Sequence, residues 1–187
     1  MRSGFSLRCP RDPTKRSHWP SRAQTKRLHH LGDVERSWLE FAAVLHDIGY
    51  LINPRQHHKH AYYLIKNSDI GGLTAEEIEV VANIARYHRR SMPAAKHEGY
   101  ADLPLKLKRT VRILSALLRV ADALDRTHFS AVQTVNVKIG QTLTIVATVS
   151  GDAAMEIWSA SQRTDLLEQV FRRRVQFSEV PQESEKS

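Results

Sequence analysis

The apolar residues of this chain change their repeat once, near residue 130. Before that point they recur at helical spacing. Trp38, Phe41, Leu45 and Ile48 fall three, four and three residues apart on one stripe; Ile78, Val81, Ile84 and Ala85 make another; Leu107, Val111, Leu114, Leu118 and Ala121 make a third. From Val132 the period is two. Val135, Val137 and Ile139 alternate with polar residues, then Leu143, Ile145, Ala147 and Val149 do the same after Gly140-Gln141. Helical and strand periods are not interchangeable, so the chain must build helices first and a small sheet afterwards. The fold class expected is mainly α with a small α+β extension.

Punctuation residues sharpen this reading. Gly49 supplies a stop for the first helix, and a short helix over 57–67 ends before Gly71-Gly72. Thr74 and Glu77 have the spacing of a capping box ahead of the second stripe. A long helix runs from Pro104 to Arg126, a hairpin turns at Gly140-Gln141, a helix covers 160–172, and a short strand covers Arg174–Phe177. Residues 178–187 are polar and are expected to fray. The organisation expected is a disordered tail over 1–27, a helical domain over 28–130, a small α+β unit over 131–178 and a second tail over 179–187.

Charge is concentrated at the start. Of a net +8, residues 1–30 carry +7: Arg2, Arg8, Arg11, Lys15, Arg16, Arg22, Lys26 and Arg27 stand against Asp12. Pro10, Pro13 and Pro20 interrupt this stretch and no apolar stripe runs through it, so its ordering entropy has little burial to offset it. A basic arm can hold a polyanion, but nothing else here resembles a recognition module, so we read a solvated leader and expect no nucleic-acid partner. No apolar stretch approaches the ~20 residues that cross a bilayer, and no apolar core follows the first arginines as in a secretory signal. With a single cysteine, Cys9, the expectation is a cytoplasmic protein without a membrane partner.

Chemistry lies in the histidines and aspartates of the helical part. His46-Asp47 closes the first stripe, and a neutral imidazole beside a carboxylate suits a borderline divalent ion. His57, His58 and His60 follow, then His88, then Asp122 and Asp125. Asp122 lies four residues after Leu118, so its carboxylate needs a cation or donors against desolvation. Either an arginine such as Arg119 or Arg126, or a metal ion, can fill that role. His57, His58 and Lys59, with Arg86, Arg89 and Arg90, are expected to rim a surface, either as a solvated basic face or as an anion-binding groove.

Leu45-His46-Asp47-Ile48-Gly49-Tyr50 resembles the signature of the HD superfamily of metal-dependent phosphohydrolases. The wider text is more specific. Leu28-His29-His30-Leu31-Gly32, the segments around His46-Asp47 and His57–Ile65, Ala85–Arg90 and Leu118–Arg126 resemble the C-terminal region of the exopolyphosphatase and guanosine pentaphosphate phosphohydrolase (Ppx/GppA) family. So do Glu156-Ile157-Trp158 and Arg163–Glu168.

The resemblance implies an HD-like helical bundle followed by a hairpin–helix–strand unit. It implies a divalent metal (Mg, Mn, Fe or Zn) at His46, Asp47 and Asp122, with a second site at His60 and His88. Phosphate would meet His57, His58, Lys59, Arg86, Arg89 and Arg90. An HD site also uses a histidine on a helix well upstream; His18 and His29 lie there, neither on an amphipathic helix, so the set is one ligand short. The implied substrate is polyphosphate or guanosine polyphosphate, with a separate actin-like phosphatase domain or a second copy as partner. Two classes stay open: a hydrolase of phosphoanhydride or phosphoester bonds, and a non-catalytic phosphate-chain-binding domain or truncated fragment whose catalysis lies in the actin-like part.

A chain beginning at Leu28 is expected to melt at the same temperature as the full chain; a large loss of stability would show that the basic segment packs.

Overall fold

The computed structural model describes residues 31–182. The segment 1–27, read above as a tail, and residues 183–187 lie outside the described residues. The elements are α1 (Asp33–Leu45), a 3-10 turn η1 (Ile48–Leu51), α2 (His57–Lys66), α3 (Ala75–Arg86), α4 (Leu105–Leu124), β1 (Val132–Ile139), β2 (Leu143–Val149), α5 (Ala154–Ser161), α6 (Asp165–Phe171) and β3 (Val175–Pro181). No helix among the described residues is long and apolar enough to cross a membrane.

Side chains satisfy two helix starts. The Thr74 hydroxyl accepts the Glu77 N–H at 3.3 Å while the Thr74 N–H donates to Glu77 Oε2 at 2.8 Å, the reciprocal box expected. Glu77 Oε1 then accepts the Trp38 indole N–H at 3.1 Å, which ties α1 to α3. The Gly32 N–H donates to Glu35 Oε2 at 2.8 Å and opens α1.

Two cores share α4. Val111, Leu114 and Leu118 pack with Trp38, Ile65, Val80, Val81 and Ile84 in the helical core. Ala116, Val120, Ala123 and Leu124 pack with Ile145, Ala160, Leu166 and Leu167 in the second. Each fully buried Leu or Ile here contributes about 1.5–3 kcal/mol. The sheet order is β1-β2-β3, with β1 antiparallel and β3 parallel to the central β2. A parallel neighbour needs a crossover, and α5 and α6 supply it.

Several expectations are corrected. The first stripe does not run through Ile48 in one helix: α1 ends at Leu45 and Ile48 opens η1. The helix read over 160–172 falls across two helices, α5 ending at Ser161 and α6 beginning at Asp165, with Gln162–Thr164 between them. The strand read to Phe177 continues to Pro181, since β2 offers partners as far as Val149. Ala121 is exposed, off the α4 stripe that includes Leu118.

Gly49 has a different role from the stop expected. A Cβ there would lie 2.0 Å from the His57 carbonyl oxygen and 2.6 Å from the Ala61 nitrogen. Only hydrogen fits where η1 presses on the first turn of α2. Gly49→Ala is therefore expected to destabilise the fold by about 3 kcal/mol, the cost of forcing a methyl into a packed backbone contact. Denaturant unfolding measures it, and an unchanged midpoint would show that the two segments are free to separate.

Candidate metal centre

Helix ends bring three histidines together. His46 caps the C-terminus of α1, His57 opens α2, and His88 lies just past the end of α3. Each ring turns one nitrogen to the carbonyl three residues before it: His46 Nδ1 to Ala43 at 2.8 Å, His57 Nδ1 to Pro54 at 3.2 Å and His88 Nδ1 to Ala85 at 2.6 Å. A carbonyl oxygen only accepts, so each Nδ1 carries the hydrogen and each neutral ring presents a lone pair at Nε2.

Those Nε2 atoms converge on two carboxylates. Asp47 Oδ1 lies 3.3 Å from His57 Nε2 and 3.9 Å from His88 Nε2, and Asp47 Oδ2 lies 3.5 Å from His46 Nε2. Asp122, on the last turn of α4, places Oδ1 3.6 Å from His46 Nε2. One ligand atom from each of His46, Asp47 and His88 falls within 4.8 Å of the others. His57 Nε2 and His88 Nε2 stand 3.3 Å apart. Two lone pairs that close repel unless a proton or cation lies between or beside them.

Positive charge enters from two sides. Arg163, in the break between α5 and α6, donates to Asp122 Oδ2 at 2.8 Å. The Arg89 guanidinium reaches His57 Nε2 at 3.4 Å. The Tyr50 ring stacks on His57 with centroids 4.0 Å apart, closing a third side.

Ionisation follows from this crowding. Burial opposes charge on His46, but the Asp122 hydrogen bond and the Asp47 and Asp122 charges outweigh it and raise its pKa. Burial and then Arg89 lower that of His57. Burial, His57 and Arg89 push His58 down to about 4. Burial and the His46 charge take His88 down to about 3. Burial works against the Asp122 carboxylate, yet the His46 bond and the His88, His46 and Arg163 charges bring it down to about 2.

The residues singled out in the sequence divide into two groups. His46, Asp47, Asp122 and His88 meet. His60 does not: His57 stands beside His88 where His60 was expected, and His60 is half-buried with no side-chain bond to these groups. Of the residues expected to rim a surface, His57 and His58 are buried, with 1% and 7% exposure, as is His88. Neutral imidazoles make that burial tolerable, so the rim reduces to Lys59, Arg89 and Arg90. Arg86 lies over the Tyr62 and Tyr87 rings at 5.0 and 5.6 Å and belongs to the packing. Asp125 pairs with His128 at 3.3 Å.

Asp122 takes Arg163 as its arginine, in place of the Arg119 or Arg126 expected. Arg119 instead donates to the Tyr87 and Arg90 carbonyls, both at 3.3 Å, holding the end of α3. Sequence reasoning missed Arg163. No signal in the sequence ranks His57 above its neighbours His58 and His60.

Comparison with known proteins adds two findings. The family model for Ppx/GppA phosphatase, domain III, matches residues 20–167. The guanosine-5'-triphosphate,3'-diphosphate pyrophosphatase of Pseudoalteromonas translucida (strain TAC 125) is 31% identical over 111 residues, which cover 54% of this chain and 22% of that protein. The chain therefore spans less than a quarter of that relative's length.

A pH response follows from the buried imidazoles. The ordinary histidine value is 6.5, and His57, His58 and His88 all lie below it in the folded chain. Between pH 6.5 and about 4 the unfolded chain binds more protons at these three sites, so stability falls as pH drops through that window. His46 runs the other way, its contribution present below 6.5 and lost as pH rises through its raised folded value. With three against one, the melting temperature is expected to be lower at pH 5 than at pH 7.5, and His58→Leu should lessen the difference. A flat or inverted profile would refute this balance.

Proposed function

The chain belongs to the Ppx/GppA phosphatase family through its domain III, and from that membership we propose an HD-type divalent-metal centre acting on the phosphates of polyphosphate or guanosine polyphosphates. The observation that carries the reading is the convergence of three Nε2 atoms on two carboxylates, with each Nδ1 fixed by a backbone carbonyl. Such second-sphere bonds set the tautomer a metal ligand needs. Nitrogen and carboxylate oxygen together suit Mn, Fe or Zn, and Mg through the oxygens.

His46, Asp47, Asp122 and His88 would hold the ion, with His57 beside them. A bound ion would supply Lewis-acid polarisation of a phosphoryl oxygen and activation of a water molecule. The protein's own residues would do the rest. Asp122, its pKa lowered by the His46 hydrogen bond and the nearby positive charges, would stay ionised and with Asp47 keep water near the reacting phosphorus. Arg89, aimed into the centre, and the outlying Lys59 and Arg90 would neutralise phosphate oxygens and orient the chain for cleavage of a phosphoanhydride.

A second reading has one observation in its favour. Arg163 already engages an Asp122 oxygen, as an arginine would in a domain that holds phosphate chains without cleaving them. Catalysis would then lie in an actin-like phosphatase part, on the same or a separate chain.

One experiment separates the two. The chelator-treated full chain is titrated with Mn²⁺ and then given tripolyphosphate, with melting temperature and released phosphate as readouts. A hundredfold excess of metal over its Kd should stabilise the fold by about 2.7 kcal/mol. Asp122→Asn should abolish that shift together with phosphate release. Metal binding without phosphate release favours the accessory role. The absence of both stoichiometric metal and a melting shift would overturn the metal centre. Asp122→Ala, which strands Arg163 and His46, should cost about 1–3 kcal/mol in the metal-free chain.

A further inference from the structure

Arg119 lies on the buried face of α4, only 5% exposed. Its Nη1 donates to the carbonyls of Tyr87 and Arg90, both at 3.3 Å, and its Nη2 to Asp165 Oδ1 at 3.5 Å. Its Nε is buried with no acceptor. A buried guanidinium with an orphaned N–H is costly, and an apolar side chain would fill the position with less to desolvate.

The two carbonyls bracket His88 and Arg89. Helix α3 ends at Arg86, and the chain leaves it through Tyr87 and a left-handed Arg90, φ 62°. Carbonyls at such a helix end have no intrahelical donor. The last backbone–backbone hydrogen bond of this turn runs from the His88 N–H to the Ala85 carbonyl, at 3.5 Å. Beyond it, among the described residues, the Arg119 bonds tie the turn to α4. A left-handed backbone costs a non-glycine residue free energy, so Arg90 keeps it only where its neighbours hold it.

Both side chains within the bracket reach the His–Asp centre. His88 Nε2 stands 3.3 Å from His57 Nε2 and 3.9 Å from Asp47 Oδ1, and the Arg89 guanidinium reaches His57 Nε2 at 3.4 Å. The Nδ1 bond to Ala85 sets the rotation of the His88 ring, but not where the backbone beneath it sits. We propose that Arg119 is a positioning residue: from α4 it clamps the turn after α3 at both ends and so places His88 and Arg89 at the centre. This role rests on the metal reading above for what His88 is placed to hold, and on the clamp geometry alone for the placement itself. A lysine is one atom shorter and has no planar fork, so it cannot reproduce the pair of bonds.

The test takes the chelator-treated full chain and two readouts. One is the Mn²⁺ dissociation constant by titration calorimetry; the other is the Nδ1–H resonances of His46, His57 and His88 by NMR without metal. Arg119→Met should weaken Mn²⁺ binding about tenfold, and Arg119→Lys about threefold, the scale of outer partners that orient metal ligands. Removing a cation near a cation site would by charge alone tighten binding, so weakening reports lost geometry. Arg119→Met should also broaden or displace the His88 resonance while leaving that of His46 in place. Val120→Ala thins the second core beside Arg119 and touches neither carbonyl. It should lower the melting temperature yet keep the His88 resonance and hold Mn²⁺ binding within about twofold.

An unmoved His88 resonance in Arg119→Met would overturn the clamp, and an unchanged Mn²⁺ affinity would overturn its service to the ion. Equal effects from Val120→Ala would reduce the clamp to general stability and overturn it too. If the unmodified chain binds no Mn²⁺, the metal reading falls and the His88 resonance alone decides the clamp. Should Arg119→Met fail to fold, Arg119→Lys decides by the same two readouts.

Discussion

The Asp122 carboxylate is claimed from two sides, by His46 at 3.6 Å from the end of α1 and by Arg163 at 2.8 Å from the break between α5 and α6. It stands on the last turn of α4, the helix both cores share. The helical core fixes where His46 arrives; the second core fixes where Arg163 arrives. A change in either packing would leave a largely buried carboxylate with half its compensation, so the geometry of the centre depends on the whole of α4 being covered on both faces.

The histidines complete that arrangement at low cost because helix ends supply what they need. The last carbonyls of a helix have no intrahelical donor. Ala43 and Ala85 offer such carbonyls to the Nδ1 groups of His46 and His88, and Pro54 does the same from the turn before α2. Two deficits cancel: the carbonyl gains a donor and the ring is fixed as the tautomer whose Nε2 faces the aspartates. Burial then keeps His57 and His88 neutral, leaving lone pairs rather than charges beside Asp47. Gly49 makes the approach possible by letting η1 rest on the backbone of α2.

The arginines show how one residue type takes unrelated tasks. Arg119 holds the end of α3 through two carbonyls, and Arg86 is spent on aromatic faces. Arg163 and Arg89 point into the centre. Those along α4 and after α6 meet no acid among the described residues and surround a cleft. Net charge, concentrated in the first thirty residues, shows none of this sorting.

The sequence by itself determined the kinds of element and their order. Apolar period is a local property, so the helices, the capping box at Thr74 and the hairpin at Gly140 were legible, as were His46-Asp47 and Asp122 as groups needing a cation. The family resemblance was legible for the same reason, since it rests on ordered strings. Only the tertiary structure decided that His57 rather than His60 stands beside His88, that Arg163 rather than Arg119 meets Asp122, and that His57 and His58 are buried. Periodicity does not rank the members of a cluster such as His57-His58-Lys59-His60, because the choice depends on which neighbour packs against the helix. Nor does it foresee a contact such as Asp122–Arg163, which spans 41 residues and forms only where α5 lies on α4. The parallel pairing of β3 with β2 was hidden likewise, because a strand's partner and direction come from the crossover that delivers it.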